Sequence, residues 1–190
     1  YYHWLTNALP SLFLAQLSGD IDPTVPALIP ASIRNKPNLH AALEAIMERR
    51  PAFYWEPDVA LHVREAVVVD PPPIYDTPLS TSQTERVPLY CNLPLMRLYR
   101  DALVQNAGKP ENPGGFGEKL FLVRKTDDQR MPNYDALVKV ASNAGFSVFS
   151  AEDHSFADQV RAFRQARFIV GPGGAAFTNL LFCRPGAKAI

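Results

Sequence analysis

Phe168-Ile169-Val170, a run of strand type, stops at Gly171-Pro172-Gly173-Gly174. Ala175-Ala176-Phe177-Thr178-Asn179-Leu180-Leu181-Phe182 follows, with apolar residues at 177, 180 and 181. Such a stretch has few ways to fold, and strand, tight loop, helix is the one its residues favour. Glycines let the backbone approach a ligand with no Cβ in the way, and the first free N–H groups of the helix point at whatever lies in front of it. Those donors and the helix dipole together favour an anion, so the stretch reads as a phosphate or pyrophosphate site. The alternative is a tight connection in an α/β core with no ligand, because a lone glycine-rich turn is a weak signal.

The residues upstream set this loop in a repeating pattern. Lys119–Arg124 reads as a strand, Asn133–Ala144 as a helix with Tyr134, Leu137, Val138 and Ala141 inward, Phe146–Phe149 as a strand, and Phe156–Ala166 as a helix. Ser155 and Asp158, three residues apart, form a capping box at the start of that second helix. Strands alternating with helices imply a parallel sheet, and ligands of such sheets sit at the carboxyl ends of the strands. There the chain offers Arg124, Lys125 and Arg130 after the first strand, Glu152 after the second and the glycines after the third. Arginines, a lysine and a helix start at one edge suit a diphosphate. Either arginine alone reads equally as a solvated surface charge.

The first half is less regular. Leu5, Leu9, Leu12 and Phe13 lie at helical spacing, with Pro10 a kink or restart, and His3 stands off that stripe, towards a cleft or at a helix end. Asp20-Ile21-Asp22 has the form of a metal-binding DxD, but it lies between Ser-Gly and Pro23 and reads as a turn. Val25–Ile29, Ala52–Trp55 and Ala66–Val69 read as strands. A helix spans Asn38–Arg50, and Leu95, Leu98, Tyr99, Ala102 and Leu103 mark another that ends near Gly108. Of the 18 prolines, 15 fall in residues 1–113, and 108–117 has the make-up of a linker, so a domain boundary is expected there, dividing 1–109 from 110–190.

Charge limits the partners. Nineteen basic and 19 acidic residues cancel, which argues against a nucleic-acid surface or a polybasic membrane anchor. Residues 110–190 carry 10 basic against 8 acidic groups, mostly arginine among the basic ones, so an anion site belongs in the second half. Cys91 and Cys183 form no metal or disulfide pattern and read as buried free thiols. With no sequon, no signal-peptide pattern and no apolar run near the roughly 18–20 residues that span a bilayer, a cytoplasmic setting is expected. Both ends read as cut, so the chain is expected to be a portion of a longer protein, with any membrane association arising from parts outside it.

Taken in order, Tyr1-Tyr2-His3-Trp4-Leu5 with Leu9-Pro10, Phe121-Leu122-Val123-Arg124 with Arg130 and Asn133, Gly145-Phe146 through Glu152, Ser155-Phe156 with Gln159, and Val170-Gly171-Pro172 with Gly174-Ala175 and Thr178-Asn179-Leu180-Leu181-Phe182 resemble glycosyltransferase family 61. The resemblance covers most of residues 118–190 and the opening, and is vague between. It implies a GT-B-like α/β fold: two Rossmann-like parallel-sheet domains, the first on the acceptor side and the second binding a nucleotide-sugar donor. It further implies inversion at the sugar carbon, a saccharide or protein acceptor, and no obligatory metal or other cofactor. By the same resemblance Arg124, Arg130, Asn133, Gly171, Gly173, Gly174, Ala175, Thr178 and Asn179 would bind the donor, and His3 or, second, Glu152 would act as base. Three positions depart from the family: Gly173 where a histidine is common, Asn7 where an acid is common four residues after the opening histidine, and Tyr134 where a glutamate often follows the matched asparagine. These departures admit a donor-binding relative without turnover. Gly171 to Ala176 also fits G-x-G-x-x-A, the mark of a dinucleotide oxidoreductase, although at least two strand–helix units precede it in the domain.

Overall fold

A computed structural model describes residues 3–47, 50–69, 92–112, 114–124 and 133–190. The chain divides into two compact units, Tyr1–Asn106 and Ala107–Ile190.

In the first unit, Trp4–Ala8 forms a π-helical turn that passes into α1, Leu9–Leu17. Pro10 explains the change. It has no N–H to donate and its ring would meet the carbonyl four residues back, so the turn widens ahead of it, and the Leu9 N–H reaches Trp4 C=O five residues back. The sequence-based expectation of a restart at Pro10 takes this form. β1 (Ala27–Pro30) and β2 (Ala52–Trp55) pair in parallel, joined through a short 3₁₀ turn at Ala31–Ile33 and through α2, Pro37–Met47. α3 is Leu93–Asn106. Leu5, Leu9, Ile29, Leu43, Ile46 and Leu103 form the buried core, and the buried Tyr99 donates its hydroxyl to Leu5 C=O at 2.9 Å. Asp20-Ile21-Asp22 is a turn: Asp22 accepts from the Thr24 N–H and hydroxyl, which hold its carboxyl below the usual carboxylate range. Ala66–Val69 is not a strand. Val67 and Val68 are exposed, and the prolines that follow in sequence remove the donors that a pairing strand would need. Leu98, expected on the inner face of α3, is also exposed.

The second unit is a four-stranded parallel sheet in the order β4-β3-β5-β6, with β3 Lys119–Val123, β4 Ser147–Ser150, β5 Phe168–Val170 and β6 Lys188–Ala189. α4 (Tyr134–Asn143) joins β3 to β4, and α5 (Phe156–Gln165) joins β4 to β5. Leu120, Leu122, Phe149 and Ile169 from the strands meet Phe156, Val160 and Phe163 from α5 in the core, each such large side chain contributing about 1.5–3 kcal/mol by burial. Phe149 and Phe163 pack edge to face at 5.8 Å. α5 starts at the expected cap: Ser155 Oγ accepts the Asp158 N–H and donates to the Asp158 carboxylate, whose other oxygen takes the Asn112 N–H. Among the described residues no helix is long and apolar enough to cross a membrane.

Candidate donor site at the strand switch

The strand order defines one special place in the second unit. From β3 the chain moves to β4 on one side, whereas β5 lies on the other side of β3 and leads on to β6. The connections leaving β3 and β5 therefore diverge, and the crevice between them is where sheets of this kind take ligands. Arg124 follows the last residue of β3 and Gly171 follows the last residue of β5.

Glycine is required at two positions of that loop, for different reasons. At Gly171 a Cβ would lie 2.9 Å from Leu122 Cβ and 3.1 Å from Leu122 C=O, so its absence allows β5 to pass close to β3. At Gly174 the backbone has φ +114°, and a Cβ would lie 3.2 Å from Arg124 Nη1 and 3.3 Å from Cζ. The Arg124 guanidinium thus lies against the glycine loop. Its own backbone N–H donates to the Tyr134 hydroxyl at 3.3 Å, which ties the exit of β3 to the first turn of α4.

The helix after the loop, Ala175–Phe182, is 3₁₀ rather than α, with buried Asn179 and Phe182 three residues apart on its inner side. Its first internal bond runs from the Phe177 N–H to Gly174 C=O, so the N–H groups of Gly174, Ala175 and Ala176 lie ahead of it. The Gly171 N–H is already committed to Ile190 C=O at 3.1 Å and is no anion donor. Gly173, at φ +83°, has open space around it.

The other sequence-nominated residues fall at varied distances from this crevice. Thr178 Oγ1 is buried with no hydrogen-bond partner among the described residues. Asn179 is fully buried and donates to Gln159 Oε1 at 2.8 Å, while Gln159 donates to Ala151 C=O and His154 C=O. That relay ties the 3₁₀ helix to α5 and to the end of β4, so Asn179 shapes the loop from beneath. Asn133 is exposed at the N-cap of α4 without a side-chain cap bond. Glu152 is exposed on the 3₁₀ turn after β4, on the far side of β3 from the glycine loop. His3 is exposed in the first unit, at the N-cap of the π-helical turn. Arg130 and Lys125 lie outside the described residues, as does Cys91. Sequence reasoning passed over Ser150, the last residue of β4, opposite Val123; its hydroxyl is buried and unpartnered among the described residues. A serine ending an apolar strand at the ligand edge was the available signal.

A parallel sheet with an arginine and a glycine loop at its switch point belongs to the α/β proteins that take ligands at strand ends. The chain belongs to the Glycosyltransferase 61 family, which it matches over residues 1–190, and it is on that ground a glycosyltransferase with a donor and an acceptor to bring together. No curated protein matches it by sequence.

Proposed function

We propose that the protein is an inverting glycosyltransferase that moves a sugar from a nucleoside diphosphate to a saccharide or protein hydroxyl, with no metal required. The observation that carries this reading is the Arg124 guanidinium against Gly174 at the strand switch, beside the N–H groups that open the 3₁₀ helix. The departing nucleoside diphosphate gains negative charge as the glycosidic bond breaks. A fixed guanidinium and backbone dipoles stabilise that charge without reorganising. Thr178 and Ser150, hydroxyls without partners among the described residues at this end of the sheet, are further groups for the diphosphate or the ribose. In this reading the second unit binds the donor, the first presents the acceptor, and the two together correspond to a GT-B arrangement.

Gly173 carries a second reading, a relative that binds donor without turning it over, because it offers no side chain where the family commonly has histidine. Incubation with α-linked UDP- and GDP-sugars in EDTA separates the two. Release of a β-configured sugar or glycoside, read by proton NMR, is expected. An α-configured product would contradict inversion, and binding without product would favour the second reading.

A further inference from the structure

Arg124 meets two partners at the exit of β3. Its guanidinium lies against Gly174, and its backbone N–H donates to the Tyr134 hydroxyl at 3.3 Å. Tyr134 is the first residue of α4, so strand and helix converge on the phenol oxygen where the chain leaves the sheet. Arg124, Tyr134 and Gly174 all belong to the second unit. The Tyr134 side chain is half-buried.

The phenol is only partly used by this contact. At 3.3 Å the bond lies beyond about 3.2 Å, the upper end of the usual range for N–H···O, so it is a weak tie between α4 and β3. In it Tyr134 Oη is the acceptor. A phenol also carries one proton, which cannot point at the N–H from which its oxygen accepts. Among the described residues no hydrogen bond takes that proton. Holding α4 to β3 requires an acceptor alone, yet the residue there brings a donor as well. Ser150, which ends β4 opposite Val123, and Thr178, in the 3₁₀ helix after the glycine loop, add buried hydroxyls that also lack partners among the described residues. Hydroxyl donors gathered beside an arginine suit a ligand rich in acceptor oxygens.

We propose that the Tyr134 hydroxyl is a binding group of the donor site, donating a hydrogen bond to a phosphate oxygen of the nucleoside diphosphate beside the Arg124 guanidinium; this rests on the reading of the Arg124 crevice as the donor site. An ionised diphosphate only accepts, so a group with a proton to give matches it. As the bond from the anomeric carbon to the diphosphate oxygen breaks, its electron pair stays on that oxygen, and the hydrogen bond from the phenol strengthens with the growing charge. The phenol keeps its proton throughout. Tyr134 therefore holds the donor and stabilises the departing diphosphate without acting as an acid.

Two measurements on the full chain test this. In calorimetric titrations with UDP, GDP and CDP in EDTA, the nucleoside diphosphate that binds the wild type is expected to bind Tyr134→Phe about tenfold or more weakly. Equal affinity in the two proteins would overturn the Tyr134 contact and leave the donor site standing. A wild type that binds none of the three would remove the donor reading, and the part of Tyr134 with it. Because Tyr134→Phe also loses the tie to Arg124, the second measurement separates contact from support and needs only the wild type folded. In protein carrying ¹³C at tyrosine Cζ, the Tyr134 resonance is expected to move downfield as the nucleoside diphosphate saturates, since donation to a phosphate draws the phenol towards phenolate character. A resonance that stays in place or moves upfield would show that the phenol gives no hydrogen bond to the ligand, and would overturn the proposal even if Tyr134→Phe binds weakly.

Discussion

At Gly173 the proposal meets the family departure directly. The position has φ +83° with open space around it, so a histidine there has room, and its left-handed backbone lowers stability by roughly 1–2 kcal/mol in the free and the bound protein alike. A hydrogen bond from its imidazole to a phosphate contributes about 1.5–3 kcal/mol. Gly173→His is therefore expected to lower stability while tightening nucleoside-diphosphate binding by about tenfold or more in a titration. Unchanged or weaker binding would show that a side chain at 173 does not reach the phosphates. Cys183 yields a different prediction. Burial pushes its thiol up to about 11 from an ordinary value of 9.0. The unfolded chain ionises first, so this contribution to stability is complete below about pH 9 and is lost as pH rises towards 11. Urea titrations across that window should show a fall that Cys183→Ala abolishes. An identical fall in the variant would assign the loss to other groups.

Two elements fix the loop that carries the site. Gly171 lets β5 run against Leu122 of β3, and Gly171→Ala places a methyl 2.9 Å from Leu122 Cβ. Overpacking of this kind costs about 1–3 kcal/mol, so a lowered urea midpoint is expected, and a variant as stable as the wild type would mean that the strands can part at no cost. α5 is held at its start by Ser155, and Ser155→Ala should cost about 1 kcal/mol for the cap; the loss also leaves the buried Asp158 short of one donor. A variant with no loss of stability would show that the Asn112 N–H alone satisfies that carboxylate. Much of this layer was legible in the sequence, because α4, β3, β4, α5 and β5 each carry their own period and the Ser155–Asp158 spacing declares a cap. Ala66–Val69 has the apolar run of a strand and forms none, because such a run states hydrophobicity and says nothing of whether a partner strand exists. The π-helical turn at Trp4–Ala8 and the 3₁₀ form of Ala175–Phe182 were not legible either, since both depend on hydrogen bonds that compete within a turn or two.

For the whole molecule, the sequence indicated which residues could serve a diphosphate, and the strand order indicates which of them meet. Arg124 and Gly174 are fifty residues apart and come together only because β5 returns beside β3. Asn179 looked equivalent to Thr178 in the sequence, yet packing turns it inward onto Gln159. His40 and Tyr54, whose imidazole and hydroxyl lie 3.0 Å apart, form no motif in the sequence, because no local spacing encodes a contact made between a helix and a strand. Calorimetric titration of the wild type and Arg124→Ala with UDP, GDP and CDP in EDTA tests most directly whether the Arg124 crevice is a nucleoside-diphosphate site. Binding of one of the three is expected, weakened by about 1.5–3 kcal/mol in the variant, the range for a hydrogen bond to a charged group. Equal affinity in the two proteins, or binding that appears only when a divalent metal is restored, would contradict it.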